Sequence, residues 1–162
     1  MKIIQFDQSH FSQVQDIYGQ GLETGIATFE TTVPDWESWD TSHLSIGRIA
    51  AMEGNVMLGW ASLSPVSNRC VYGGVAEVSV YVSEEARGKG IGKALLEELI
   101  RISETNGIWT LQAGIFRDNH ASQAIHRACG FRIIGYRERI GQLHGVWRDN
   151  LILERRSQVV GV

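Results

Sequence analysis

The sequence predicts an α+β fold in one domain spanning residues 1–162, with a mixed sheet in which strands outnumber helices. Three observations carry this reading. Short alternating or β-branched runs recur along the chain, giving the order β α α β β β α β α β β. Only the second half alternates strand with helix, which argues against a doubly wound parallel sheet. The chain also has 43% apolar and 20% charged residues, with no repeat, low-complexity tract or Pro/Ser-rich linker to divide it.

Each element has a local cause. Lys2 to Phe6 alternates and reads as a strand. Ser9 offers a cap to a helix over about 10–20, where Phe11, Val14, Ile17 and Tyr18 share one face. "ETGIATFETTVPDWESW" reads as a loop, and Pro34 at a first helical position would open a short second helix. Arg48–Glu53 and Val56–Pro65 are apolar runs meeting at Gly54-Asn55, a hairpin dipeptide in reversed order. Val75–Val82 is a β-branched strand. Gly90–Thr105 is a helix, with Ile91, Leu95, Leu96, Leu99 and Ile102 at helical spacing and Asn106-Gly107 closing it. Trp109–Ile115 is a strand, and Asn119–Cys129 is a helix stopped by Gly130. Phe131–Ile140 and Val146–Leu153 are the final strands.

Charge and cysteine usage exclude several classes of function. A net charge of −3 gives no polyanion-binding surface, and the five tryptophans do not alternate with basic residues, so no nucleic-acid partner is expected. Cys70 and Cys129 are far apart, and the histidines at 10, 43, 120, 126 and 144 form no H-x-x-x-H pair, so no metal is expected. Two free thiols fit a reducing compartment. "MKIIQFDQSH" lacks the apolar stretch of a signal peptide, and no run approaches a membrane span. The expectation is a cytoplasmic, soluble protein with no membrane partner.

The informative stretch is "EEARGKGIGKALLEELI", residues 84–100. Glycine is a poor helix opener because its backbone entropy must be removed on folding. First-turn N–H groups have no internal partner and carry the positive end of the helix dipole, so bare backbone before them can seat an anion. Arg87, Lys89 and Lys93 add charge, and residues 87–93 are predicted to hold a phosphate or pyrophosphate. A P-loop does not fit, because Ala94 follows Gly92-Lys93 and Arg87 stands five residues before Gly92. The spacing G-x-G-x-G also differs from the Rossmann fingerprint.

R-G-x-G-x-G after a strand and at a helix start resembles the pyrophosphate-binding turn of the GNAT superfamily of acetyl-CoA-dependent N-acetyltransferases. "NHASQAIHRACGF" carries Asn119, Ser122, Gly130 and Phe131 where that superfamily's later helix has its pattern. "AEVSVYV", "IHRACGF", "GQLHGVWRD", the "IATFE" loop, Arg69 and Tyr72 are similar to the phosphinothricin acetyltransferase family, which includes acetyltransferases of methionine sulfoximine and methionine sulfone. The resemblance covers nearly the whole chain. It implies a mostly antiparallel, twisted central sheet of about seven strands flanked by about four helices, acetyl-CoA as co-substrate, a small-molecule amine acceptor and a homodimer.

The resemblance also distributes roles. Val80, Tyr81 and Val82 would hold the pantetheine arm through backbone groups. Arg87, Gly88, Lys89, Gly90, Ile91, Gly92 and Lys93 would hold the pyrophosphate, with Asn119 and Ser122 as further cofactor contacts. Glu77, in an otherwise apolar segment, would take the amine's proton. His126, where most of the superfamily has tyrosine, would protonate the leaving thiolate or work with Glu77. Phe29, Glu30, Arg69, Tyr72, Glu77, Val78 and Ser79 would form the acceptor site, Arg69 gripping a carboxylate with its planar fork. Thr28 would reach polar groups, and His144 and Trp147 would close the pocket or meet a second subunit. Gln142 departs from the family's lysine. Three alternatives stay open: a different amine acceptor (polyamine, antibiotic or protein N-terminus), a non-catalytic acyl-CoA-binding module, and an acetyl-Cys129 intermediate.

Overall fold

The computed structural model describes residues 1–162. Its strands are β1 (Lys2–Gln5), β2 (Ile49–Glu53), β3 (Val56–Pro65), β4 (Val75–Val82), β5 (Thr110–Phe116), β6 (Arg132–Leu143) and β7 (Val146–Arg156). Its α-helices are α1 (Phe11–Thr24), α2 (Trp36–Ser42), α3 (Ile91–Thr105) and α4 (His120–Ala128). The strands form one sheet in the order β1-β2-β3-β4-β5-β7-β6. Every neighbouring pair is antiparallel except β4 and β5. The predicted α+β class, the mostly antiparallel sheet and the element order all hold.

Period-two alternation sends opposite sets of side chains to the two faces. On one face, Ala61, Leu63, Ala76, Val78, Leu111 and Leu153 meet the apolar stripe of α3, where Leu95, Leu96 and Leu99 are fully buried. Truncating Leu99 to alanine there would cost about 2–5 kcal/mol. On the other face, Phe6, Phe11, Val14, Ile17, Trp39 and Trp60 form a second, aromatic cluster under α1 and α2. Arg48 closes that cluster, its guanidinium 5.2 Å from the Trp39 ring and hydrogen-bonded to Asp40 and to the carbonyls of Leu44 and His43. No helix is long and apolar enough to cross a membrane.

Some boundaries differ from the sequence reading. Asp7, not Ser9, is the first cap; its carboxylate accepts from the Ser9 N–H at 2.9 Å and starts a 3-10 turn that leads into α1. Asp35 caps α2 by accepting from the Ser38 N–H, so Pro34 stands one residue before the cap instead of at the first helical position. The last two strands are longer than expected and meet at a tight turn, where His144 and Gly145 have φ of 50° and 80°. The expected end at Ile140 falls short because β6 runs through an irregularity between Arg137 and Gly141 and re-pairs with β7 as far as Leu143.

Candidate active site

The site begins where two strands part. β4 and β5 share only three rungs: Val75 with Thr110, Ala76 with Leu111 and Glu77 with Gln112. Beyond them β4 stays on β3 as far as Val82, while β5 stays on β7 as far as Phe116. The strands therefore open as a wedge with Glu77 at its apex. A cavity of about 800 Å³ occupies the wedge and extends over both faces of the sheet. Along the rest of β4, the backbone edge facing the cavity has no strand partner.

Glu77 is half-buried, and its Oε2 accepts from Gln112 Nε2 at 3.2 Å. That bond fixes the carboxylate against the next strand. Glu77, Ser79 and Tyr81 share one face of β4, and Val78, Val80 and Val82 share the other. Tyr81 was assigned with the cofactor strand, and its side chain stands on the Glu77 face. Its ring stacks on Trp60 at 4.8 Å and meets Tyr18 edge-on at 5.0 Å. Burial, with the nearby Tyr18 and Glu30, pushes the Tyr81 hydroxyl well above the usual phenol range, so it remains a donor.

The glycine turn opens α3 at the far end of β4. Gly88 and Gly90 have φ of 76° and 78°, and nothing lies within 4 Å of where their Cβ atoms would be. Their role is the left-handed backbone. Gly92 has a different role: a Cβ there would stand 3.1 Å from Ile125 and 3.4 Å from Val82, so its bare backbone lets α3, α4 and β4 meet. The first intrahelical bond is Ala94 N–H to the Gly90 carbonyl, which leaves the preceding N–H groups free to face a ligand. Arg87, Gly88, Gly90, Ile91, Gly92 and Lys93 all border the cavity; Lys89 does not. These features fit the diphosphate of a coenzyme A thioester.

His126 is 5% exposed, edge-on to Phe131, and borders the cavity. Its Nδ1 lies 2.7 Å from the Ser122 carbonyl, which can only accept. That contact assigns the proton to Nδ1 and leaves Nε2 with a lone pair in the neutral ring. Burial lowers the His126 pKa, only partly offset by the Ser122 bond, so the neutral form dominates near pH 7. Burial also pushes the Cys129 thiol up, with Glu97 adding to it, which leaves little thiolate for an acetyl-cysteine route.

The segment 25–30 forms a third wall. Phe29 packs edge-on against Phe116 at 4.5 Å and over bare Gly141 of β6. Asn119 caps α4 by accepting from the Ser122 N–H, and its Nδ2 donates to the Ile26 carbonyl at 3.2 Å. Arg148 donates to the Gly25 carbonyl at 2.9 Å. Asn119 was predicted as a cofactor contact; both ends of its amide are engaged within the chain, where they strap this loop to α4.

The fold brings Phe29, Glu30, Glu77, Val78, Ser79, Val80, Tyr81, Val82, Asn119, Ser122 and His126 to the one cavity. Arg69 and Tyr72 are not in its lining. They share an exposed 3-10 turn beyond the apex of the wedge, the guanidinium 5.8 Å from the ring. His144 and Trp147 are exposed at or beside the β6–β7 turn, away from the cavity. Sequence reasoning missed Gln112, Gly114, Phe116 and Asn150. Gln112, polar in the middle of a largely apolar strand, was the available signal, but only the strand register places it beside Glu77.

Comparison with known proteins agrees with this geometry. Residues 13–131 match the acetyltransferase (GNAT) family. The phosphinothricin N-acetyltransferase of Streptomyces coelicolor is 31% identical over 148 residues, covering 86% of each chain. The L-methionine sulfoximine/L-methionine sulfone acetyltransferase of Pseudomonas aeruginosa is 37% identical over 101 residues, 62% of this chain and 59% of that one. The solved structure of a GNAT superfamily phosphinothricin acetyltransferase from Sinorhizobium meliloti in complex with AcCoA superposes with a TM-score of 0.90 at 31% identity, covering 99% of this chain and 90% of that one.

Proposed function

The chain belongs to the GNAT acetyltransferase family and is an acetyl-CoA-dependent N-acetyltransferase; on that premise we propose that its acceptor is the α-amine of a small amino-acid analogue of the phosphinothricin, methionine sulfoximine or methionine sulfone type. Transfer is direct, with both substrates bound. The observation that carries this reading is the position of Glu77: a carboxylate at the apex of the wedge, held by Gln112, in the same cavity as the glycine turn.

Acetyl-CoA, when bound, supplies an activated acetyl thioester. The rest falls to the chain. Gly88, Gly90 and the first N–H groups of α3 bind the diphosphate, with Arg87 and Lys93 adding charge. The free edge of β4 at Val80–Val82 aligns the pantetheine arm as an added strand, and N–H groups at Val78–Val80 face the carbonyl oxygen as it gains charge. Glu77 takes the amine's proton, directly or through water. His126, neutral and with Nε2 free, accepts a hydrogen bond or proton beside it and is poorly suited to protonate the thiolate. Phe29 walls the acceptor slot. Arg69 stands outside the lining, so it takes the acceptor's carboxylate only where that end of the acceptor reaches past the apex to the exposed turn.

The same proposal has residues 1–162 acting as one domain, in the cytoplasm, as a homodimer. Support for the dimer is the exposed apolar set Ile134, Tyr136, Ile140 and Trp147 on the β6–β7 hairpin. The test of function is thiol release from acetyl-CoA with methionine sulfoximine, methionine sulfone, phosphinothricin, spermidine and a short peptide as acceptors. Turnover confined to the amino-acid analogues is expected. Turnover with spermidine or the peptide alone would replace the acceptor class, and absence of acetyl-CoA binding would remove the reading of the glycine turn.

A further inference from the structure

We infer that Asn150 reads the side-chain head group of the acceptor and that this head group is polar and uncharged. The inference rests on the acceptor class proposed above and narrows it. Five side-chain polar atoms are buried without a hydrogen-bond partner: Trp39 Nε1, Trp60 Nε1, Ser62 Oγ, Thr110 Oγ1 and Asn150 Oδ1. The first four belong to residues sealed in the core. Asn150 alone borders the cavity. A buried amide oxygen left unpaired is costly; Oδ1 is sealed from solvent, while Nδ2, which has no partner within the chain, is the end left for a ligand in the cavity, and a turn of the amide would exchange the two.

Asn150 is placed to be such a contact. It stands opposite Phe116 in the β5–β7 ladder. Its amide lies against Gly114, where a Cβ would come within 3.1 Å of Nδ2. Gly114 is two residues beyond Gln112 on the face that carries Glu77. The amide therefore sits about 7 Å along the β5 wall from the Glu77 rung, given the rise of a strand. An acceptor whose amine meets Glu77 spans that distance with a side chain of methionine length. Arg69, beyond the apex, serves the carboxylate end, so the two ends of the acceptor are read by different chemistry.

The charges lining this half of the cavity disfavour an anionic head. The carboxylates of Glu30 and Glu77 border this half of the cavity, and the bordering cations Arg87 and Lys93 belong to the glycine turn. Arg148, two residues before Asn150, is committed elsewhere: it lies over the Phe116 ring at 4.9 Å, pairs with Asp118 at 3.2 Å and donates to the Gly25 carbonyl. A phosphinate would thus meet a neutral amide, with two carboxylates and no uncommitted cation in the same half of the cavity. A sulfone or sulfoximine meets a partner suited to it. Nδ2 donates to a sulfonyl-type oxygen, and a half-turn of the amide presents Oδ1 to a sulfoximine N–H.

The experiment is a comparison of kcat/KM for methionine sulfoximine, methionine sulfone and phosphinothricin in wild type, Asn150→Leu and Asn150→Asp. Wild type should favour the two sulfur compounds over phosphinothricin by about 10-fold or more, the discrimination expected of an unmatched charge. Asn150→Leu should lower kcat/KM for both sulfur compounds by about 3–10-fold through the acceptor KM, with the acetyl-CoA KM unchanged. Asn150→Asp is isosteric and keeps the test valid if the leucine variant misfolds. Its carboxylate accepts from a sulfoximine N–H but repels sulfone oxygens, so the sulfoximine-to-sulfone ratio should rise several-fold. Parity of phosphinothricin with the sulfur compounds in wild type, or an unchanged ratio in Asn150→Asp, would overturn this inference alone. Failure of all three acceptors in a protein that still binds acetyl-CoA would overturn the proposed acceptor class and this inference with it.

Discussion

The two halves of the cavity are made of different material. The half at the glycine turn is backbone: one continuous stretch, residues 87–93, whose glycines set the turn and whose helix offers free N–H groups. The half at Glu77 is side chains, drawn from the 25–30 loop, β4, β5, α4 and β7. In the proposed assignment, backbone recognises charge and shape in the part that every acetyl-CoA molecule shares. Side chains recognise what differs between acceptors. A substitution in one half should therefore leave the kinetics of the other substrate alone, and that division can be attacked at several points.

The largest expected effect is Glu77→Gln. Loss of the proposed base should lower kcat by about 10²–10⁴-fold while acetyl-CoA affinity, read by calorimetry, stays unchanged. A comparable loss of acetyl-CoA binding would show that Glu77 builds both halves. Gly92→Val comes next. Its side chain would press on Ile125 and Val82, an overpacking of about 1–3 kcal/mol, so the acetyl-CoA KM should rise by about 5–100-fold with the acceptor KM little changed. Arg148→Met should act in the opposite sense: it frees the Gly25 carbonyl and loosens the wall that carries Phe29, raising the acceptor KM a few-fold and leaving that of acetyl-CoA.

The smallest effect is a pH dependence at His126. Burial lowers its pKa in the fold, so the unfolded chain binds more protons once the pH drops below the ordinary value of about 6.5. Stability is then lost as pH falls through that region. His43 is shifted the same way by burial and contributes in parallel. His126→Asn should therefore lose less stability than wild type between pH 7 and pH 5, as a smaller drop in the urea midpoint. An identical drop would mean that His126 is as free to protonate in the fold as in the unfolded chain.

The same contrast explains what could be read from the sequence. The glycine turn is local, so Arg87 to Lys93 declared itself by spacing alone. The elements followed from periodicity, and the order of strands and helices matched the structure to within a few residues. The acceptor half depends on register. Asn150 sits in "VWRDNLILE" and reads as one polar residue in an apolar strand; only pairing with Phe116 carries it over Gly114. Resemblance supplied Arg69 and Tyr72, which the fold sets on an exposed turn instead of the lining. Asn119 matched a family position, while its hydrogen bonds, invisible in one dimension, tie a loop to a helix.

The three rungs at Val75–Glu77 also have a mechanical meaning. They are the only ladder rungs between the half-sheet β1–β4 and the half-sheet β5–β7, each zipped internally by longer antiparallel ladders, and the bonds from Asn119 and Arg148 to the 25–30 loop tie the two spans a second time. A rotation of one half-sheet against the other about that short seam would have to strain the Asn119–Ile26 and Arg148–Gly25 bonds. A rotation moves points in proportion to their distance from the pivot, so Glu77, on the last shared rung, would be displaced least. The seam thus places the proposed base at the stiffest point of the wedge.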